Sequence, residues 1–192
     1  MKLDVSPAAL DVDRRRLLAM LTERSYAKKK IVLSSGRESD FYIDCKKTVL
    51  TAEGHWLVGK LLFVGVREAF PTAVAVGGLT MGADPIASAV SLVSFLGAAP
   101  LHAFLVRKEP KGHGTGQWVE GLSSIAAGAE VVVVEDVVTT GASTIKAIER
   151  ARAEGLKPIA AFTIVDRQEG GREAIEATGV PVRSLFTRSD FP

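Results

Sequence analysis

The spacing of apolar residues changes near residue 50. Before that point, Val12–Leu21 sets Leu17, Leu18 and Leu21 on one side of a short helix and leaves Arg14, Arg15 and Arg16 solvated. Tyr26–Leu33 predicts an edge strand whose Lys28–Lys30 run discourages pairing with a further strand. Ser34–Gly36 turns the chain, and Phe41–Asp44 reads as a second short strand. Beyond residue 50, strands and helices alternate. A helix capped by Thr51 runs to about Phe70, a strand Ala73–Val76 ends in Gly77-Gly78, a helix opens at Asp84-Pro85 and reaches Leu96, and Leu101–Val106 is the next strand. Arg107–Gly121 lacks periodicity and is expected to be a long loop. Val131–Val134 is apolar and β-branched throughout, as suits a central parallel strand covered on both faces. Helix Ala142–Ala153, strand Pro158–Val165, helix Arg172–Ala177 and strand Val180–Phe186 follow. The alternation predicts an α/β fold with a central parallel sheet flanked by helices. A small N-terminal hood over about 1–50 and a core over about 51–192 are expected within one domain.

Composition narrows the class. A chain of 192 residues, 47% hydrophobic and 24% charged, can bury a full core and does not resemble a disordered segment. Twenty-four basic against 22 acidic residues, a net +2, argue against a dedicated nucleic-acid binder. Cys45 is the single cysteine, which rules out an intramolecular disulfide and a cysteine-rich metal site; a small, partly buried side chain is expected. No leader pattern opens the chain, and no apolar run reaches the roughly 20 residues of a membrane span. The expectation is a soluble, cytoplasmic protein without a membrane partner.

Candidate chemistry is densest in Val131-Val-Val-Val-Glu-Asp-Val-Val-Thr-Thr-Gly-Ala-Ser-Thr144. A buried strand ends in two adjacent acids, Glu135 and Asp136, and a threonine- and glycine-rich turn leads into a helix. In open parallel sheets, ligands sit beyond the carboxyl ends of strands and against helix N-termini. Amides from about Val138 to Ser143 would point outward there, and the helix dipole adds partial positive charge. Thr139, Thr140, Ser143 and Thr144 supply hydroxyl donors, while Gly141 permits a tight turn. Together these describe a pocket for a phosphate monoester. A P-loop would need a lysine after its second glycine, and a dinucleotide fingerprint would need three spaced glycines; neither is present. The acids repel phosphate, so they are expected to serve ribose hydroxyls or a water-clad Mg2+ on the same ligand. A plain strand–turn–helix with a capping acid is the alternative. The pattern resembles the phosphoribosyl pyrophosphate motif of the type I phosphoribosyltransferases. That implies donor binding by Glu135, Asp136, Val137, Val138, Thr139, Thr140, Gly141, Ala142 and Ser143.

Arg107-Lys-Glu-Pro-Lys-Gly-His-Gly-Thr-Gly-Gln117 sets Arg107, Lys108, Lys111 and His113 among glycines and a proline. Such a loop suits a lid over a pyrophosphate leaving group, neutralising charge and excluding water; a solvated surface loop is the alternative. The run closely resembles the Arg-Lys-x-x-Lys-x-His-Gly catalytic loop of orotate phosphoribosyltransferases. The resemblance implies that Lys111 and His113 act with Asp136 in catalysis, and that Arg107 and Lys108 are further donor ligands. It also implies a homodimer with active sites shared across the interface. Trp118, at the far edge, is a candidate anchor for the loop.

Leu33-Ser-Ser-Gly-Arg-Glu-Ser-Asp-Phe-Tyr-Ile-Asp44 is similar to the orotate segment of the same family. Phe41 and Tyr42 are expected to offer a ring face and main-chain groups to a planar base, against plain packing of the hood. Val165-Asp-Arg-Gln-Glu169 ends the next predicted strand, so Arg167 is placed to fork onto the orotate carboxylate or to form a structural salt bridge. Thr139 joins these as an orotate ligand by the same resemblance. Two lysines common in the family are missing: Ser34 stands before the Ser-Gly turn, and Gly78-Leu-Thr-Met-Gly-Ala83 holds none. Thr80 and the amides of that turn are the expected compensation. His55 and His102 are read as structural.

The implied reaction is Mg2+-dependent transfer of ribose 5-phosphate from phosphoribosyl pyrophosphate to orotate, a step of pyrimidine synthesis. Mg2+ is expected to be held mainly by pyrophosphate and water, without direct protein ligands. The rivals are a purine phosphoribosyltransferase sharing the phosphate loop and a regulator sensing the same donor. The ~20 residues before Leu21 are too few for a helix-turn-helix.

Overall fold

The structure is a computed structural model that describes residues 3–32, 38–110 and 117–192. The Ser34–Gly36 turn, Lys111 and His113 lie outside the described residues. Helix α1 spans Pro7–Met20 and so begins before Val12. Ser6 caps it by accepting the Ala9 amide at 3.4 Å, and Pro7 takes the first position, where its missing N–H costs nothing. The apolar stripe marks only the half of this helix that packs, with Leu17 and Met20 buried. Strands β1 (Tyr26–Val32) and β2 (Glu38–Ile43) form an antiparallel pair, Tyr26 opposite Ile43 and Val32 opposite Glu38. β2 therefore starts earlier than Phe41, because pairing with β1 extends it through polar residues.

The remaining elements are α2 (Lys46–Val49), α3 (Ala52–Ala69), β3 (Ala75–Leu79), α4 (Asp84–Leu96), β4 (His102–Val106), β5 (Val119–Glu120), β6 (Glu130–Val138), α5 (Ala142–Ala153), β7 (Lys157–Asp166), α6 (Gly171–Glu176) and β8 (Val182–Thr187). Thr51 caps α3 by accepting the Gly54 amide at 3.0 Å. Six strands form one sheet in the order β5-β4-β3-β6-β7-β8, parallel except for β5 against β4. Alternation along β6 divides the core. Val132 and Val134 pack in one cluster with Leu62 of α3 and Ile86 of α4, while Val131 and Val133 join Ala147, Ile148 and Ala151 of α5 and Ile175 of α6. The N-terminal Leu17, Leu21, Phe41 and Cys45 belong to the first cluster.

Three further boundaries differ from the sequence reading. The expected loop after Arg107 contains β5, two residues held by pairing of Leu105 with Glu120 and Val106 with Val119. β6 carries both acids, as expected, but runs two residues beyond them to Val138, paired with Asp166 of β7. β3 contains Gly77 and Gly78 instead of ending at them. Glycine inside a strand marks close approach of a neighbour. A Cβ on Gly77 would lie 2.0 Å from the Phe104 carbonyl oxygen, and one on Gly78 2.1 Å from that of Val134. Gly77→Ala should cost about 1–3 kcal/mol, the range for overpacking a filled core, measured by urea unfolding. A midpoint equal to wild type would show that the β3–β4 contact gives way easily.

Candidate active site

The chain leaves β3 for β4 on one side, and β6, β7 and β8 build out on the other. Strand order thus reverses between β3 and β6, and connections diverge from their carboxyl ends to open a crevice. The turn 80–83 fills one bank and the β6–α5 connection the other.

Gly141 adopts φ +80°, and a Cβ there would also lie 2.8 Å from the Gly171 carbonyl oxygen, so glycine is required twice over. Ile145 donates to the Gly141 carbonyl at 2.9 Å, which leaves the amides of Ala142, Ser143 and Thr144 ahead of the helical ladder. Residues 137–144 and Glu135 line a cavity of about 240 Å³. Its size and its donors suit a phosphate monoester, and the dipole of α5 points its positive end there.

The two acids differ. Glu135 is 6% exposed, and its Oε2 has no hydrogen bond among the described residues. Burial first, and then the neighbouring Asp136 charge, push its carboxyl up to about 8. Asp136 accepts the Val137 amide at 2.9 Å, and its other oxygen lies 3.7 Å from Lys46 Nζ. Lys46 in turn pairs with Asp44 at 2.8 Å; that bond, helped by the Asp136 charge, holds its ammonium above the ordinary lysine range. On the opposite bank, a Cβ on Gly82 would lie 2.8 Å from Asp136 Oδ1 and 2.9 Å from Glu135 Oε1. The turn therefore comes as near the acids as a residue without a side chain allows.

That turn holds Thr80, whose amide donates to Val106 and whose hydroxyl bonds Asp84 at 2.5 Å. Asp84 is the first residue of α4, directly after the N-cap Ala83. Thr80, Leu105, Arg107, Lys108, Glu109 and Glu120 line a second cavity of about 320 Å³. Arg107 pairs there with Glu120 at 3.2 Å.

Arg167 follows β7. Its amide donates to Val138 and its guanidinium to the Phe41 carbonyl, both at 2.9 Å, and it pairs with Glu169 at 2.8 Å. The Phe41 ring packs among Tyr26 and Phe191, with centroids 5.1 and 5.5 Å away, and the Arg167 guanidinium lies 5.5 Å from its centre. The ring is thus enclosed by protein, and the residue meets Arg167 through its carbonyl as well as its ring. Tyr42 is half-buried beside Lys47.

Glu135, Val137, Val138, Thr139, Thr140, Gly141, Ala142 and Ser143 thus line one cavity, with Asp136 next to Glu135 on β6, and Arg107 and Lys108 line a second with Thr80. Sequence reasoning missed Lys46 and Gly82. Lys46 is one of many lysines, and only the packing of α2 against the core singles it out. Gly82 carried a faint signal as a glycine in a turn after a strand.

The pattern of the family described as "Phosphoribosyl transferase domain" matches residues 58–182. The orotate phosphoribosyltransferase of Sorangium cellulosum is 53% identical over 179 residues, 93% of either chain. That of Aquifex aeolicus is 45% identical over 95% of this chain and 99% of its own. The crystal structure of Mycobacterium tuberculosis orotate phosphoribosyltransferase in complex with 5-phospho-alpha-D-ribosyl 1-diphosphate superposes with a TM-score of 0.75 at 35% identity, covering 93% of this chain and 98% of that one. On crevice, motif and likeness together, the chain belongs to the orotate phosphoribosyltransferases, pentosyltransferases of the phosphoribosyl transferase domain family.

Proposed function

We propose that this chain transfers ribose 5-phosphate from phosphoribosyl pyrophosphate to orotate, giving orotidine monophosphate and pyrophosphate. One observation carries the reading: a main-chain phosphate cradle with two carboxylates at its lip, set at the switch point of a parallel sheet. The 5′-phosphate sits on the amides and hydroxyls of 137–143, and Asp136 and Glu135 accept the ribose hydroxyls. Arg107 and Lys108, with Thr80, take the pyrophosphate, and Lys111 and His113 join them from outside the described residues. Arg167, Thr139 and the Phe41–Tyr42 main chain address orotate. The bond from ribose C1 to pyrophosphate oxygen breaks with its electron pair leaving on pyrophosphate, and the orotate nitrogen lone pair forms the new C–N bond. Orotate is already anionic, so positioning and charge stabilisation of the leaving group supply the catalysis.

Mg2+ keeps several waters and favours substrate phosphates with one or two carboxylates. Adjacent Glu135 and Asp136, one with a buried oxygen lacking a hydrogen bond, fit a hydrated ion held by the donor's pyrophosphate. When bound, it neutralises pyrophosphate charge. Lys46 supplies the cation that the 80–83 turn lacks. The segment over about 1–50 acts as a hood on the core over 51–192.

The working form is a homodimer in the cytoplasm. Leu50, Leu92 and Phe95 are 68%, 58% and 72% exposed, and Leu50, Trp56, Leu92 and Val93 border an apolar hollow of about 490 Å³. A contiguous apolar patch of this kind marks an association surface. Among the described residues no helix is long and apolar enough to cross a membrane.

Loss of orotate absorbance on mixing enzyme, donor and Mg2+ tests the reaction; turnover of a purine with orotate untouched would overturn it. Lys46→Ala should raise the donor KM roughly 10- to 100-fold, as loss of one charge-assisted contact implies, with orotate KM unchanged and Lys46→Arg recovering most of it. An unaltered donor KM would remove Lys46 from the site. Glu135 adds a pH dependence. Folded Glu135 keeps its proton up to about 8 while the unfolded chain loses it near 4.5. Its stabilising contribution is therefore complete below 4.5 and lost as pH rises to about 8. Ligand-free melts of wild type should fall relative to Glu135→Gln across that window and run parallel above it; a constant gap throughout would contradict the assignment.

A further inference from the structure

The loop carrying Arg107 and Lys108 leaves the sheet at the end of β4 and returns at β5. Its two stems are joined by the Arg107 amide donating to the Trp118 carbonyl at 2.9 Å. A third element reaches both stems. Arg150, on α5, donates to the Arg107 carbonyl and, at 3.1 Å, to the Lys108 carbonyl. Its guanidinium also lies 3.6 Å from the centroid of the Trp118 ring. One turn further on, Glu154 accepts the Trp118 amide at 3.3 Å. Arg150 therefore bonds the outgoing stem and covers the indole of the returning one, from the helix whose N-terminus forms the phosphate cradle.

We propose that Arg150 is a positioning residue that fixes the two stems of the loop carrying Arg107 and Lys108, so that the leaving pyrophosphate meets cations already held in place. The proposal rests on the phosphoribosyl transfer reading above. Arg150 lies eight residues beyond Ala142, roughly 12 Å along the helix axis, too far down α5 to belong to the cradle's first turn. A rigid helix carries the position of the cradle to the stems. The planar fork of arginine accounts for the residue type. It serves two carbonyls while its face stays on the indole, which a lysine ammonium cannot do. Trp118, a candidate anchor by its place in the sequence, packs against Arg150, a side chain 32 residues away that no local pattern indicates.

A structural role alone would lower stability and leave ligand discrimination intact. A positioning role separates ligands by which end of the donor they carry. Ribose 5-phosphate needs only the cradle, whereas inorganic pyrophosphate needs the stems. For Arg150→Ala, pyrophosphate binding and forward kcat should each fall roughly 10- to 100-fold, the scale for a misplaced transition-state contact. Ribose 5-phosphate affinity and orotate KM should hold within a factor of two. Arg150→Lys should recover part of the loss and Arg150→Met none, since methionine keeps contact with Trp118 but donates no hydrogen bond. In a Trp56→Phe background, Trp118 is the single indole. Its emission should respond to pyrophosphate while Arg150 is retained, and should stay unchanged once Arg150→Ala is added. Equal weakening of ribose 5-phosphate and pyrophosphate, or wild-type kinetics in a folded Arg150→Ala, would overturn the proposal. Should wild type leave orotate unconsumed, the two binding titrations still judge the clamp, so failure of the reaction and failure of the clamp are told apart.

Discussion

Two neighbouring carboxylates at the end of a buried strand set the terms for everything around them. Charged together, they repel each other, and the one further from water is costly to ionise. The structure meets this unequally. Asp136 reaches a lysine and an amide, while Glu135 stays buried with its proton held to about 8. A glycine faces both, leaving room for a ligand where a side chain would have stood. An arrangement that is unfavourable when empty is suited to a ligand whose hydroxyls take up the acceptors. Strain of this electrostatic kind at a sheet switch point is a mark of a binding site rather than of a folding core.

The strand of the two acids carries no cation of its own. Lys46, which lies 3.7 Å from Asp136, comes from the N-terminal segment, while Arg107 and Lys108 stand at the β4 exit and Arg167 at the end of β7. On α5, Lys146, Arg150 and Arg152 all lie beyond the first turn, so no basic side chain among the described residues lines the cradle. That leaves the cradle to main-chain amides and hydroxyls, with charge supplied from other elements.

What could be read from residues alone follows from how local each determinant is. Glu135, Asp136 and Gly141 lie in one continuous run whose strand, turn and helix cap explain each other, so the cradle was visible. The sheet was visible too, because Val131–Val134 can be stable only when covered on both faces. Gly77 and Gly78 misled, since glycine ordinarily ends a strand; here Phe104 and the Val134 carbonyl exclude any side chain inside one. β5 was hidden because two residues have no periodicity, and its existence depends on β4 alone. The Phe41 ring, read either as a face for the base or as packing of the hood, is packed with Tyr26 and Phe191, an arrangement made by side chains that no local pattern indicates. Lys46 and Arg150 were invisible for the same reason: each matters only through tertiary contacts.

The division between local and tertiary determinants also separates the cradle from the cationic stems. The cradle is formed mainly by main chain at a helix start, where α5 follows β6. The cationic side depends on side-chain contacts: Arg150 bonds the stem that carries Arg107 and Lys108, Arg107 pairs with Glu120, and Thr80 bonds Asp84 in the neighbouring turn. The geometry of the cradle is thereby set by the backbone, while that of the cationic stems is set by side chains from other elements, Arg150 foremost.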